Sequence, residues 1–538
     1  MKYIVPVKIV DMKGVTNAES LLKEKTIQIG LNETDVCVMN EGSHVILDFG
    51  REYVGSLRML TATTIGGGKV RIRLGESVSE TCAELCDHNA TNDHAVRDWE
   101  CYIPNLSDQT FTGSGFRFVR IDLLGDTKLR IKSVLLKDCS YEKPFDGSFI
   151  CDDELVNKIF DTAAYTFRLC IQNDMIWDGI KRDRLVWIGD IHPEQMTANS
   201  LYSDTFFIKN SIKFVCEQTP LPLWMNNIPM YSLWWIINLR DYYFKTGDYE
   251  FLSSFRDYLK GLISQIDGVI KEDGNTTYPF NFIDWPSHSR GEDGSVKAKD
   301  EYAGVHALTV WALNSAKEIF KVLKEDDEII VSSLVKLSKI SHTVEKYKQI
   351  SAIRLISGEG DDRDVKLILD AGAKGISTFM SYYVLSAVAT RGYGKEALSM
   401  MKEYYGKMLD LGATTFWEDF DISWAENAGR IDEMPDGKKV DIHAEYGDFC
   451  YKGYRHSFCH GWSSGVVPFL VRNIAGINET AVGGRELTVK PCLSGLKKID
   501  VVYPTVNGNV KIKIRDVDGK VKVDYETPDG VKVYVGQE

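Results

Sequence analysis

The chain has 538 residues, a formal net charge of −13 and 44% apolar residues, so it is too long for one compact domain and apolar enough to build several cores. With 77 Asp+Glu against 64 Lys+Arg it lacks the clustered positive charge that a nucleic-acid backbone demands, and no apolar run reaches the roughly 18 residues of a membrane helix. Lys8 and Asp11 interrupt the only apolar stretch at the amino terminus, so no signal peptide is expected; eleven cysteines, an odd number, do not read as a disulfide framework, and a reducing cytoplasm is the expected compartment.

Residues 1–145 read as β. Short β-branched runs at Ser43–Phe49 and Val70–Leu74 lie between glycines (Gly50, Gly55, Gly66, Gly68), and Phe116–Leu124 alternates large apolar and charged residues, which predicts a β-sandwich. At Asp152 the period changes. Leu155, Ile159, Ala163, Phe167 and Cys170 recur at helical spacing, with Asp152 or Asp153 as N-cap. A helix beginning at Ser377 puts Phe379, Tyr382, Leu385 and Ala389 on one face. The next runs over 394–411 with Leu398, Met401, Tyr405 and Met408 inward and Gly412 just past its end. Helix, short loop, helix, continued over 146–475 without a fixed-period repeat, predicts a closed α/α toroid rather than an open solenoid. Residues 325–370, charged and less periodic, are expected to be an insertion or a loosely packed excursion. Residues 476–538 return to β, with Val510, Ile512 and Ile514 in alternation, hairpin signals at Asp518-Gly519 and Asp529-Gly530, and solvated lysines (Lys511, Lys513, Lys520, Lys522, Lys532). The expected domains are 1–145, 146–475 and 476–538.

The densest polar segment is Trp177–Glu194, WDGIKRDRLVWIGDIHPE. Asp178, Asp183 and Asp190 are interleaved there with Lys181, Arg182, Arg184, His192 and Glu194 and flanked by Trp177 and Trp187. Gly179 and Gly189 let the backbone turn, so the segment reads as a loop leading into a helix. A salt-bridged interhelical loop is the plain alternative, but Leu185–Ile188 inside the cluster imply burial, and buried charges are costly unless paired or functional. Three smaller clusters follow: Phe282–Trp285 (FIDW), Gly412–Phe420 (GATTFWEDF, with Glu418 after Trp417) and Ser457–Gly465 (SFCHGWSSG, with His460 and Trp462). Each also has an ordinary reading, as a turn, a cap or a core histidine. Cys82, Cys86, His88, His94 and Cys101 suit zinc by type, but their spacing does not match the close paired ligands of ribbons or fingers, and an interdomain loop is the preferred reading.

Carboxylates among tryptophans on a helical toroid are what sugar hydrolysis needs: one carboxyl protonates the leaving oxygen, a second acts as nucleophile or water base, and aromatic faces stack on pyranose rings. At these residues a resemblance enters. DGIKRDRLVWIGD (Asp178–Asp190) resembles the signature of the α-L-rhamnosidases of glycoside hydrolase family 78, which runs Asp, three variable residues, Arg, an acid, Arg-Leu, usually Gly, then Trp, a variable residue and Gly-Asp. GATTFWE (Gly412–Glu418) is similar to that family's second acidic motif, and SFCHGWSSG to its Ser-x-Asn-His segment. LDFGREYVGSLRM (Leu47–Met59) and GFRFVRI (Gly115–Ile121) resemble its β-sandwich.

The resemblance implies a multidomain chain in which an (α/α)6 barrel holds the active site between an amino-terminal β-sandwich and a small carboxyl-terminal β-domain. It implies an inverting hydrolase releasing terminal α-L-rhamnose, with no cofactor and no metal. Asp183 falls at the general-acid position and Glu418 at the general-base position; Asp178, Arg182, Trp187, Asp190, Trp285 and His460 fall at sugar-binding positions. A glycosidase for another sugar and a non-catalytic carbohydrate-binding relative remain alternatives. The expected partner is a carbohydrate, not nucleic acid or membrane; a homodimer is compatible with the sequence but not determined by it. The chain departs from the pattern at Asp183, where Glu is common, at Val186, where Gly is common, and at Cys459, which replaces Asn. The long interval from Glu418 to His460 marks Ala425–Tyr454 as an added loop near the pocket. Asp178 and Asp190 are expected to engage Arg182 and Arg184, leaving burial and neighbouring carboxylates to raise the pKa of Asp183. Glu418 is expected to stay ionised. The two acids should converge across a tryptophan-lined hollow, about 6.5–9.5 Å apart, with room for a water.

Overall fold

The structure, a computed structural model, describes residues 2–64, 66–292, 294–449 and 451–536. Pleat-like alternation near the amino terminus builds β1 (Lys2–Ile4), β2 (Lys8–Thr16), β3 (Cys37–Thr61), β4 (Gly68–Gly75), β5 (Asp98–Ile103), β6 (Asp108–Leu124) and β7 (Leu129–Asp138). They form one seven-stranded sheet, ordered β1-β7-β3-β6-β4-β5 with β2 on β3. The register of β3 on β6 shifts between Asp48 and Tyr53, where Gly50 takes a φ of 85°, a conformation open to glycine at little cost. Phe49, Leu57, Ile72, Phe116 and Leu136 fill its core. Between β4 and β5 lies the short helix α1 (Val78–Cys82), capped by Ser77.

Strand β8 (Ser148–Cys151) precedes α2 (Glu154–Cys170), which starts where the Asp153 carboxylate accepts the Leu155 and Val156 N–H groups. A tight pair, β9 (Ile171–Gln172) and β10 (Met175–Ile176), leads into the Trp177–Asp190 loop and then α3 (Ile191–Leu201). There follow α4 (Phe206–Gln218), α5 (Pro229–Thr246), α6 (Tyr249–Ser254), α7 (Arg256–Gly268), α8 (Val296–Leu323), α9 (Glu328–Leu337), α10 (Lys348–Ser357), α11 (Asp362–Ala371), α12 (Ser381–Ala389), α13 (Gly394–Asp410), α14 (Ile442–Glu445) and α15 (Val466–Phe469). The packing closes on itself: α3 lies on α5, α5 on α8, α8 on α10, α10 on α12, α12 on α15, and α15 returns to α3. Helix α3 is buried along its whole length and α5 along most of its own, as expected of helices with no solvent face.

Two expectations are corrected here. Residues 325–370 are not a loose excursion, because α10 is a buried member of the ring. Its charges are admitted because they are satisfied: Lys348 donates to the Gly372 carbonyl (2.5 Å) and Arg354 pairs with Asp364 (3.3 Å). The carboxyl-terminal strands are β11 (Ile477–Glu479), β12 (Glu486–Val489), β13 (Lys498–Thr505), β14 (Gly508–Val517), β15 (Lys520–Glu526) and β16 (Lys532–Val535). Asp518-Gly519 does turn β14 into β15. Asp529-Gly530 does not make a hairpin, because β16 pairs in parallel with β12. Buried Val531, just after that turn, draws the chain away from the exposed edge of β15.

The two carboxyl-terminal sheets are β11-β12-β16 and β15-β14-β13-β8, so β8, which precedes the first long helix, is a strand of the last sheet. Phe149, Ile499 and Ile512 belong to the same continuous core as Phe167 and Trp235 of the ring. Among the described residues, no helix is long and apolar enough to cross a membrane.

Candidate active site

Three chain segments meet at the amino-terminal ends of α3 and α5. The first is the loop Trp177–Asp190. The Asp178 N–H donates to the Leu185 carbonyl (3.0 Å) and the Leu185 N–H returns to the Asp178 carboxylate (2.9 Å). That closes a tight turn in which Asp183 and Arg184 both take left-handed φ values, 51° and 58°. Such strain in non-glycine residues persists only where surroundings impose it, and it clusters at functional sites. The second segment carries Glu418 and the third His460. Their backbones run together: the Glu418 N–H donates to the Ser457 carbonyl (2.9 Å) and the His460 N–H to the Phe416 carbonyl (3.1 Å). The Gly461 N–H donates to the Asp178 carbonyl (2.7 Å), and the Gly115 N–H of β6 donates to the Ile180 carbonyl (3.0 Å), so the amino-terminal sheet anchors the loop from outside.

This stitching brings together acids 235 positions apart (418 minus 183) on one guanidinium. Arg182 donates through Nη1 to Asp183 Oδ1 (2.8 Å), through Nη2 to Glu418 Oε1, and through Nε to the Arg455 carbonyl (3.2 Å). The second oxygen of Glu418 accepts the Ser457 N–H (3.0 Å). His460 Nε2 lies 3.8 Å from Asp178 and 4.0 Å from Glu418. Burial, and then the charge of Arg182, hold that imidazole well below its ordinary pKa, so it stands neutral. Asp190 accepts the Tyr231 hydroxyl (2.8 Å), and Trp187 packs edge-on against the Tyr231 ring at 6.1 Å. Trp285 lies on a separate wall, against Phe282 and Phe449. Beside it Asp284 accepts the Ser377 hydroxyl (2.5 Å); burial pushes its carboxyl up to about 7 against that bond and the Trp285 N–H. Burial also raises Asp178, Asp190 and Glu418, the last against the pull of Arg182. Glu418 is 3% exposed, whereas 18% of the Asp183 side chain is open, so Asp183 is the acid that an incoming molecule meets first.

The expected division of labour among the acids is corrected. Asp178 and Asp190 do not hold the arginines. A backbone N–H and a phenol satisfy them, while Arg182 takes Asp183 and Glu418, and Arg184 stacks over the Trp177 ring at 4.8 Å. The turn decides this, since it folds Arg182 inward and Arg184 onto the tryptophan. Side chains from two other loops stand at the mouth of the expected hollow. His94 Nε2 sits 3.6 Å from Asp183, and Arg455 bridges to Asp93 (2.9 Å). The loop after β4 and the added segment before Ser457 roof the site.

Sequence reasoning missed a buried hub beneath this roof. The Lys181 ammonium contacts Glu76 (3.0 Å), Glu80 (3.1 Å) and the Tyr454 carbonyl (2.8 Å), with His443 Nε2 at 3.4 Å. Glu76 in turn accepts the Phe458 N–H (2.6 Å) and the Ser457 hydroxyl (3.1 Å), and so fixes the strand that holds Glu418. Glu76, Glu80 and His443 are the one set among the described residues whose ligand atoms could converge on a metal ion, but the lysine ammonium stands among them. Burial raises Glu80, and the neighbouring Arg97 and Lys181 outweigh it and bring the carboxyl down; His443 is pushed down by burial and by Lys181. The only sequence signal for this hub was the crowding around Lys181, because Glu76 and Glu80 come from another layer and His443 from the added loop. The candidate zinc residues make separate contacts: His88 reaches the Ala444 carbonyl (3.3 Å), His94 faces Asp183, Cys86 is exposed, and Cys82 and Cys101 are half-buried.

Residues 144–332, about a third of the chain, match the family model described as the bacterial alpha-L-rhamnosidase six-hairpin glycosidase domain. Among solved structures, the GH78 family rhamnosidase of Bacillus sp. GL1 is similar with a TM-score of 0.77 at 18% identity, over 97% of this chain and 55% of that one. The Streptomyces avermitilis alpha-L-rhamnosidase, complexed with L-rhamnose, gives 0.69 at 15% over 99% and 50%. A rhamnosidase from Klebsiella oxytoca with rhamnose bound gives 0.65 at 16% over 88% and 95%. At such identities the likeness is one of fold: sheet-rich regions around a helical domain. The chain spans little more than half the length of the first of these. Among curated protein sequences, none matches.

Proposed function

We propose that the chain is an inverting glycoside hydrolase that releases terminal α-L-rhamnose from oligosaccharides or glycosides. The observation that carries this reading is the Arg182 fork, which holds Asp183, inside the matched residues 144–332, and Glu418, beyond them, on separate nitrogens. Asp183, the more exposed acid, protonates the leaving oxygen; Glu418, anchored by Arg182 and the Ser457 N–H, activates the water. For this to happen the sugar must displace Asp183 from Arg182 and lift His94 and Arg455 from the mouth. Asp178, Asp190 and neutral His460 then exchange hydrogen bonds with sugar hydroxyls, and Trp187 and Trp285 supply aromatic walls.

The closed succession of α3, α5, α8, α10, α12 and α15 supports an (α/α)6 barrel over 146–475, set between a β-sandwich at 1–145 and a β-domain at 476–538. Imported oligosaccharides handled in the cytoplasm fit the cysteines among the described residues, which are free. The test is hydrolysis of aryl α-L-rhamnoside beside other aryl glycosides, with the product anomer followed in time. Release of rhamnose with inverted configuration is expected, and net retention would end the single-displacement scheme. His94 and Arg455 at the mouth favour a second reading, a carbohydrate-binding relative without turnover; saturable rhamnose binding with no hydrolysis of any glycoside would establish it.

A further inference from the structure

The helical ring has a second cavity, toward the carboxyl-terminal ends of α3 and α5, that the proposed chemistry does not use. Its volume is about 710 Å³, within the range of small-molecule sites. Its lining combines the rings of Trp311 and Tyr382, the amides of Asn314 and Asn473, and the guanidinium of Arg472. The acids of the cavity are already matched: Asp241 by Arg240 (2.7 Å) and His192 (3.1 Å), Glu318 by Arg240 (2.7 Å), and Glu479 by Lys245 (2.8 Å). Arg472 is not. Its guanidinium makes no hydrogen bond or ion pair among the described residues; it is half-buried in the lining, and Asp241 and Glu479 act on it only at longer range. It is carried on a π-helical turn, Leu470–Ile474, closed by the Ala475 N–H on the Leu470 carbonyl (2.9 Å); such turns are rare and gather at functional sites. A second orphan lies in the same lining: Asn199 is 7% exposed, and its side-chain oxygen has no hydrogen-bond partner.

We infer that this cavity is a binding site for a small anionic sugar, a hydroxylated ring bearing a carboxylate or a phosphate. The anion takes the Arg472 fork, which suits either group in bidentate geometry. A ring hydroxyl donates to Asn199, and the apolar ring face lies on Trp311 or Tyr382. The site is independent of the Asp183–Glu418 chemistry and does not rest on that reading.

Calorimetric titration of the full chain with glucuronate, glucose 6-phosphate and glucose tests it, in the wild type, Arg472→Met, Asn314→Glu and Trp187→Phe. At least one anion should bind saturably, and which one does so distinguishes carboxylate from phosphate. Glucose, and the anion with Arg472→Met, should each bind at least tenfold more weakly. Asn314→Glu, on the exposed rim and safe for folding, should weaken the anion by like-charge repulsion, and both variants should keep wild-type hydrolytic activity. No saturable binding of either anion would overturn the site. So would glucose binding as tightly as the anions, undiminished binding in Arg472→Met or Asn314→Glu, or binding lost in Trp187→Phe alone.

Discussion

The two ends of the helical ring handle charge in opposite ways. At the helix amino termini the arginine and lysine of the acidic loop are paired: Arg182 spans Asp183 and Glu418, Lys181 spans Glu76 and Glu80, and loops from two other regions close the top. At the far end the acids are paired, the Arg472 guanidinium makes no ion pair among the described residues, and a cavity of some 710 Å³ lies open beside it. A site with satisfied charges is rigid and preorganised, but it must break contacts to admit a ligand; a site with a spare charge gains a partner when it fills. On the two proposals above, the difference separates a place for chemistry from a place for capture.

The largest expected effect tests the first end. Asp183→Asn and Glu418→Gln should each cut rhamnoside hydrolysis by about 10²–10⁴-fold in steady-state assays. Both changes remove a charged partner of Arg182; Asp183→Asn is the cleaner, since Asp183 is the more exposed of the two. Full activity in either variant removes that residue from the mechanism. Next is Lys181→Met, which leaves Glu76 buried without its cation and Glu80 with Arg97 alone, and should cost about 3–5 kcal/mol in denaturant unfolding. A loss under 1 kcal/mol would show that the hub does not hold the roof.

Third is Asp284. Its folded pKa, about 7, lies above the ordinary 3.8, so between those values the native state binds the proton more strongly than the unfolded chain does. Stability on this account is full below about pH 4 and falls as pH rises toward 7. Asp284→Asn should therefore gain about 2–4 kcal/mol on the wild type between pH 4.5 and 7.5, and parallel pH profiles would refute the buried neutral acid. The smallest effect is at the far end, where Arg472→Met should lose about tenfold in anion affinity while hydrolysis is unchanged, sharpening the contrast between the two ends.

Much of the helical region was legible because one period governs it. Leu155 to Cys170 and Leu398 to Met408 announce their helices, and Asp153 and Gly412 mark ends that the structure keeps. The acidic loop was legible from its crowding. What misled was pairing. Nothing in RDRL says that Arg182 turns inward and Arg184 onto Trp177, because that choice follows from the left-handed turn at 183 and 184. Helix α10 was misjudged because its charged residues look solvated until Asp364 and the Gly372 carbonyl are found beside them.

Local pattern, then, determined the order of sheet, helices and sheet, and singled out the acidic loop, because apolar period and side-chain chemistry are properties of neighbouring residues. Tertiary structure alone decided that Asp183 and Glu418 share one arginine, that Glu76, just past β4, steadies the segment behind Glu418, and that the Arg472 guanidinium makes no ion pair among the described residues. Each of these depends on which distant segments meet, and the balance of burial against pairing that settles such meetings exists only in the folded chain.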